Sequence, residues 1–114
     1  MTIQSSVDKG VHIIAPEGCL DYNHALKLFE VVQPLVAQAG MKILIDLELV
    51  TMISSMGYVV LLQFIKTARK SGSRLQLCNL QGVARESLEI MRFEGVEIAV
   101  VNRHEALELL NTAI

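Results

Sequence analysis

The sequence contains no tryptophan, only two cysteines and two prolines, and 4% aromatic residues, which leaves few flat faces on which nucleic-acid bases could stack. Neither sign of charge dominates. Ten Lys plus Arg stand against twelve Asp plus Glu, and a formal net charge of -2 supplies no basic footprint for a phosphate backbone. Nucleic acid is therefore not an expected partner. No run approaches the roughly 18 consecutive apolar residues that span a bilayer, so direct membrane insertion is not expected. The opening MTIQSSVDKG has neither a basic flank nor an apolar secretion core, and a cytoplasmic location follows as the expectation.

What is present is apolar. Across 114 residues, 52% are hydrophobic and 19% charged, the length and make-up of a single domain, 1–114, with a substantial core. A chain of this size buries roughly two thirds of the surface it exposes when unfolded, so it needs neither metal nor disulfide to hold it. Cys19 and Cys78 are far apart, lack a C-x-x-C spacing and sit among apolar residues. They are expected to be buried free thiols in a reducing compartment.

Short β-favouring runs at 3–7 and 11–15 flank Asp8-Lys9-Gly10, which predicts an antiparallel hairpin. Asp21, after Gly18-Cys19-Leu20, is placed to cap a helix. Its stripe is Ala25, Leu28, Phe29, Val32, Leu35, Val36 and Ala39, with Gly40 as the stop and a kink expected at Pro34. The run Ile43-Leu44-Ile45-Asp46-Leu47 reads as a central strand covered on at least one face. From Ser55 the period becomes helical, with Gly57, Val60, Leu61, Phe64, Ile65 and Ala68 inward and Gln63, Lys66 and Lys70 outward. A strand at 75–78, a third helix around Val83, Ser87, Leu88 and Met91, a strand at 96–101 and a final helix to about Asn111 complete the reading. Asn102 and Glu105 have the spacing of a capping box for that final helix. The order β-β-α-β-α-β-α-β-α predicts an α/β fold with one mixed sheet and helices packed on it.

Catalytic machinery is not evident. His12, His24 and His104 are scattered, and no pair has the spacing of a helical zinc site. There is no G-x-G-x-x-G, no phosphate-binding G-x-x-x-x-G-K-[ST] and no G-x-S-x-G. Asp46 and Glu48 are close in sequence, but a carboxylate at a strand end is expected to be solvated or capping. No metal, cofactor or enzymatic activity is expected. The unusual segment is Val50-Thr51-Met52-Ile53-Ser54-Ser55-Met56-Gly57, where hydroxyls stand between an apolar run and a helix start. A serine there caps the helix. The free N–H groups and positive dipole end of a helix start would also stabilise an added phosphate.

These landmarks in this order resemble the STAS domain family, known from bacterial anti-sigma-factor antagonists: Gly18-x-Leu20-Asp21, Ile43 to Leu47 with Val50 behind it, the Ser-rich turn ending at Gly57, Ala68-Arg69-Lys70-x-Gly72, and Leu75-x-Leu77-Cys78-Asn79-Leu80. The resemblance spans almost the whole chain. It implies a STAS-like mixed sheet with helices mainly on one side and a protein partner rather than a substrate. In the family the turn reads V-x-F-[IM]-D-S-[ST]-G, and the last hydroxyl before Gly is phosphorylated by an anti-sigma factor that is also a serine kinase. Laid on this sequence, the family Asp falls on Ser54, its first Ser on Ser55 and its phosphoacceptor on Met56, whose thioether cannot take a phosphoryl group.

The resemblance thus implies an interaction module that binds a kinase-type anti-sigma factor and releases a sigma factor. The turn Ser54, Ser55, Met56 and Gly57 would lie at its contact, with Asp21, Tyr58, Val59 and Leu62 as partner-binding residues. The alternative is a STAS subunit of another assembly, a lipid-transport ATPase complex or a stress-signalling scaffold, with no phosphorylation cycle. A nucleotide-binding enzyme has only Asp21 and the Ser54-Ser55 turn in its favour. The oligomeric state is not legible.

Overall fold

The hairpin expected at the N-terminus forms because its two-residue turn suits it: Lys9 and Gly10 have φ of 51° and 77°, the mirror-image turn whose twist matches antiparallel strands. The computed structural model describes residues 2–80, 82 and 102–111. Within them β1 (Thr2–Asp8) pairs antiparallel with β2 (Val11–Leu20) in a register that sets Asp8 opposite Val11. The chain continues through α1 (Tyr22–Val36), β3 (Lys42–Asp46), β4 (Val50–Ile53), α2 (Ser55–Ser71), β5 (Arg74–Cys78) and α3 (Arg103–Asn111). The third helix and the strand at 96–101 expected from sequence lie outside the described residues.

The strand order is β1-β2-β3-β5, with β4 also pairing with β2. β2 is long enough to be used twice. Its residues His12 to Ile14 pair in parallel with Ile43 to Ile45, and its end, Gly18 to Leu20, pairs in parallel with β4 after a register shift between Gly18 and Cys19. The four-residue strand β4 was not expected from the sequence. Its burial runs buried, exposed, exposed, buried, so it lacks the alternation by which strands are read.

Alternation in the other strands sorts the core onto both faces of the sheet. Ile14, Ile43, Ile45 and Leu77 point to the side covered by α1 and α2, where Leu28, Val32, Leu61 and Phe64 meet them. Phe29 and Phe64 stack with ring centroids 6.0 Å apart. Val11, Ile13, Leu44 and Cys78 point the other way and are covered by Ala106 and Leu110 of α3. The mixed sheet with helices mainly on one side is as expected, with α3 the described helix on the second face.

Two local expectations need correction, and a third is settled between its alternatives. α1 stops at Val36, and Ala39, assigned to its stripe, is exposed. Pro34 has no N–H for the Glu30 carbonyl, and the chain leaves the helix through Ala37 N–H to Gln33 and the tighter Gln38 N–H to Leu35 bond. Cys19 is exposed rather than buried. It lies on the α3 side of β2, outside the cluster that this helix covers, opposite the exposed Met52. Asp46 is buried, at 6% exposure, so of the two roles expected for it, solvated or capping, the capping one holds, with Oδ1 accepting from Glu48 N–H at 3.0 Å.

Candidate functional site

Two helices start side by side at the ends of β2 and β4, and one carbonyl joins them. The Leu20 carbonyl accepts from Ser54 N–H at 3.0 Å and from the Ser54 hydroxyl at 2.9 Å. The same hydroxyl accepts from Gly57 N–H at 3.2 Å, so Ser54 is the N-cap of α2. A cap of this kind needs a short hydroxyl in extended backbone, and Ser54 has φ -75° and ψ 170°. Gly57 closes the turn because nothing larger fits: a Cβ there would stand 2.7 Å from Ile53 Cγ2 and 3.0 Å from the Leu20 oxygen. The turn is therefore held from both sides.

At the neighbouring start, the Asp21 carboxylate caps α1 by accepting His24 N–H at 3.0 Å. The His24 Nδ1–H donates to the Cys19 carbonyl at 2.9 Å, and the same nitrogen lies 3.0 Å from Asp21 Oδ1. Asp21 thus has a structural task that explains its place in the chain.

The residues singled out from sequence fall into different environments. Ser55 is exposed at the first position of α2, whereas Met56 is half-buried and packed against the main core. Val59 faces outward at 57% exposure, and Leu62 is half-buried. Tyr58 is misassigned as a surface contact: it is 2% exposed and belongs to the core. The first turn of α2 abuts the ends of β2 and β4 as well as the sheet face, so its buried arc is wider than that of later turns. Of the exposed apolar residues that were not singled out, Tyr22 stands at the start of α1 and Met52 on β4, each more than half exposed. Recognising β4 would have placed Met52 beside the turn.

The sequence matches the family model for the STAS domain over residues 2–108. This chain belongs to the STAS domain family. A search of the curated proteins found no match. Among solved structures, an anti-sigma factor antagonist from Mycobacterium paratuberculosis is similar with a TM-score of 0.84 at 18% identity, over 97% of this chain and 94% of that one. An anti-sigma-factor antagonist (STAS) domain protein from Planctomyces limnophilus gives 0.80 at 21% identity, over 95% and 96%. The murine Solute Carrier 26 family member A9 anion transporter gives 0.75 at 18% identity, over 89% of this chain but 18% of the transporter. At these identities the likeness is one of fold.

A second polar cluster supports the STAS fold from the α3 side. Asp46 Oδ1 accepts from Glu48 N–H at 3.0 Å and from the Asn79 amide at 3.2 Å, and Arg103 of α3 approaches Oδ2 at 3.9 Å. Burial pushes the neighbouring Cys78 thiol up to about 12, with the Asp46 charge adding to the effect, so Cys78 is no nucleophile at neutral pH. Among the described residues no three His, Cys, Asp or Glu side chains gather where they could hold a metal ion, and no helix is long and apolar enough to cross a membrane.

Proposed function

We propose that this STAS domain is a non-catalytic interaction module of the anti-sigma-factor antagonist kind. It binds an anti-sigma factor of the serine-kinase type through the Ser54 to Gly57 turn and the apolar groups beside it, and releases a sigma factor by occupying that partner's surface. The observation that carries this reading is the pairing of a rigid turn with exposed apolar side chains, Tyr22, Met52 and Val59, on the elements that meet there. Exposed apolar groups on a fixed backbone lose little conformational entropy when they dock. The fold shared with anti-sigma factor antagonists supports the choice of partner class.

Met56 sets this domain apart. With a thioether where the family carries a hydroxyl, the turn takes no phosphoryl group at that position, and the domain is a permanently competent binder governed by its abundance or its partner's state. The same residue favours the second reading, a STAS subunit of a larger assembly such as a lipid-transport ATPase complex, and a likeness to the domain of an anion transporter is consistent with it. Affinity capture with the tagged chain, followed by mass spectrometry, separates the two. Recovery of a kinase-type anti-sigma factor supports the first, recovery of transporter or scaffold subunits supports the second, and recovery of no partner contradicts both.

A further inference from the structure

α2 turns one stripe of side chains away from the core. Ser55, Val59, Gln63, Lys66 and Lys70 are all exposed and follow one another at helical spacings of three or four residues. The stripe is hydroxylic and apolar where it starts beside the Ser54 to Gly57 turn, and cationic where it ends. No acidic residue occurs anywhere in α2, SMGYVVLLQFIKTARKS. Among the described residues neither Lys66 nor Lys70 forms an ion pair.

Helix stability does not account for this pattern. Cations in the last turn complement the negative end of the helix dipole, which explains Arg69 and Lys70, but Lys66 lies a turn earlier. The same dipole favours carboxylates in the first turn, and α2 has none there. An exposed helix gains from a Glu four residues before a Lys. Here the residue four before Lys66 is the half-buried Leu62, and the residue four before Lys70 is Lys66 itself, a like-charged pair that repels. A membrane surface fits poorly, because an interfacial helix needs a broad apolar face beside its cations. This stripe offers Val59 alone as a large apolar group, on a chain of net charge -2.

We propose that the outward stripe of α2 receives a protein segment that is apolar at one end and acidic at the other. Its apolar end seats on Val59 beside the turn, and its carboxylates lie over Lys66 and Lys70. At 1.5 Å per residue, Val59 and Lys70 are about 16 Å apart along the helix axis, the length of about three helical turns of the partner. The inference rests on reading this domain as a partner-binding module and adds the partner's charge and its direction of approach.

The test uses the full chain with a photoreactive benzoylphenylalanine in place of Val59 in one preparation and of Gln63 in another. Cross-linked peptides are mapped by mass spectrometry. Expected is one partner captured from both positions, with the probe at 63 landing in an acidic segment. Against that purified partner, the double substitution Lys66→Glu with Lys70→Glu lowers affinity by about tenfold at low salt, and the loss shrinks at high salt. Reversing the mapped acidic residues to lysine in the partner restores binding to the double variant. Capture at 59 with the probe at 63 landing in a neutral or basic segment overturns the charge assignment while leaving the binding module standing, as does unchanged affinity of the double variant. Capture at neither position removes both readings. Binding to phosphatidylserine vesicles that the double substitution abolishes would assign the stripe to a membrane and overturn the protein segment.

Discussion

Replacing Gly57 by alanine places a methyl group where the surrounding atoms have little freedom to withdraw. The new Cβ meets Ile53 Cγ2 at 2.7 Å, the Leu20 oxygen at 3.0 Å and Leu20 Cδ2 at 3.3 Å. Ile53 is β-branched and stiff about χ1. The Leu20 oxygen already accepts from both the backbone and the hydroxyl of Ser54, so it cannot retreat without loosening the cap of α2. Overpacking of this kind costs about 1–3 kcal/mol. Against it stands the helix-propensity advantage of alanine over glycine, at most about 1 kcal/mol in a helix interior and less in a first turn. The steric term wins, and Gly57→Ala is expected to destabilise by about 1–2 kcal/mol. Urea unfolding followed by circular dichroism reads this as a lower midpoint with an unchanged slope. Ser55→Ala, on the exposed side of the same turn, is the control and should shift stability by less than about 0.5 kcal/mol. Stabilisation by Gly57→Ala would refute the close approach of α2 to Leu20 and Ile53.

Leu61, fully buried between α2 and the sheet, should cost about 2–5 kcal/mol when replaced by alanine; a midpoint indistinguishable from wild type would show the helix phase to be wrong. Because folding raises the Cys78 thiol to about 12, the native state favours its protonated form. That contribution is complete below the unfolded thiol's value of about 8.5 and is lost as pH climbs towards about 12. The stability gap between wild type and Cys78→Ala should therefore narrow above about pH 9 in denaturant titrations, and a constant gap would contradict the burial assigned to this thiol. Incubation with ATP and a kinase-type anti-sigma factor should leave the wild-type mass unchanged, whereas one phosphoryl group would add about 80 Da; stoichiometric modification mapped to Ser55 would refute permanent competence.

The parts of the fold that read from sequence are those fixed by local periodicity. Gly57, Val60, Leu61, Phe64 and Ala68 form the buried stripe of α2 because a 3.6-residue period needs no knowledge of what covers it. The Asn102–Glu105 spacing likewise produces the cap of α3, with Glu105 N–H donating to Asn102 Oδ1 at 2.8 Å. What did not read depends on distant neighbours. β4 exists because Gly18 to Leu20 offers it a parallel edge, and nothing within Val50 to Ile53 announces that edge. Asp46 read as a solvated or capping strand end, and its burial did not show because Asn79 and Arg103, which converge on it, are remote in sequence. Tyr58 and Cys19 were each misplaced for one reason. A strand or helix face is buried only as far as the element covering it extends, and that extent belongs to the tertiary structure. In the candidate site, Ser54 as a cap and Val59 as an outward residue were legible, whereas Tyr22 and Met52 became visible only when β4 set the two helix starts together.

Titration calorimetry of wild type and Val59→Glu against the partner recovered by affinity capture tests most directly whether the turn and its apolar surroundings form the binding surface. Val59 is 57% exposed, so the substitution should leave the urea midpoint within about 0.5 kcal/mol of wild type. A carboxylate placed in a contact that loses its water should weaken the complex by about tenfold or more. Equal affinity with an intact fold would contradict the account and remove α2 from the interface.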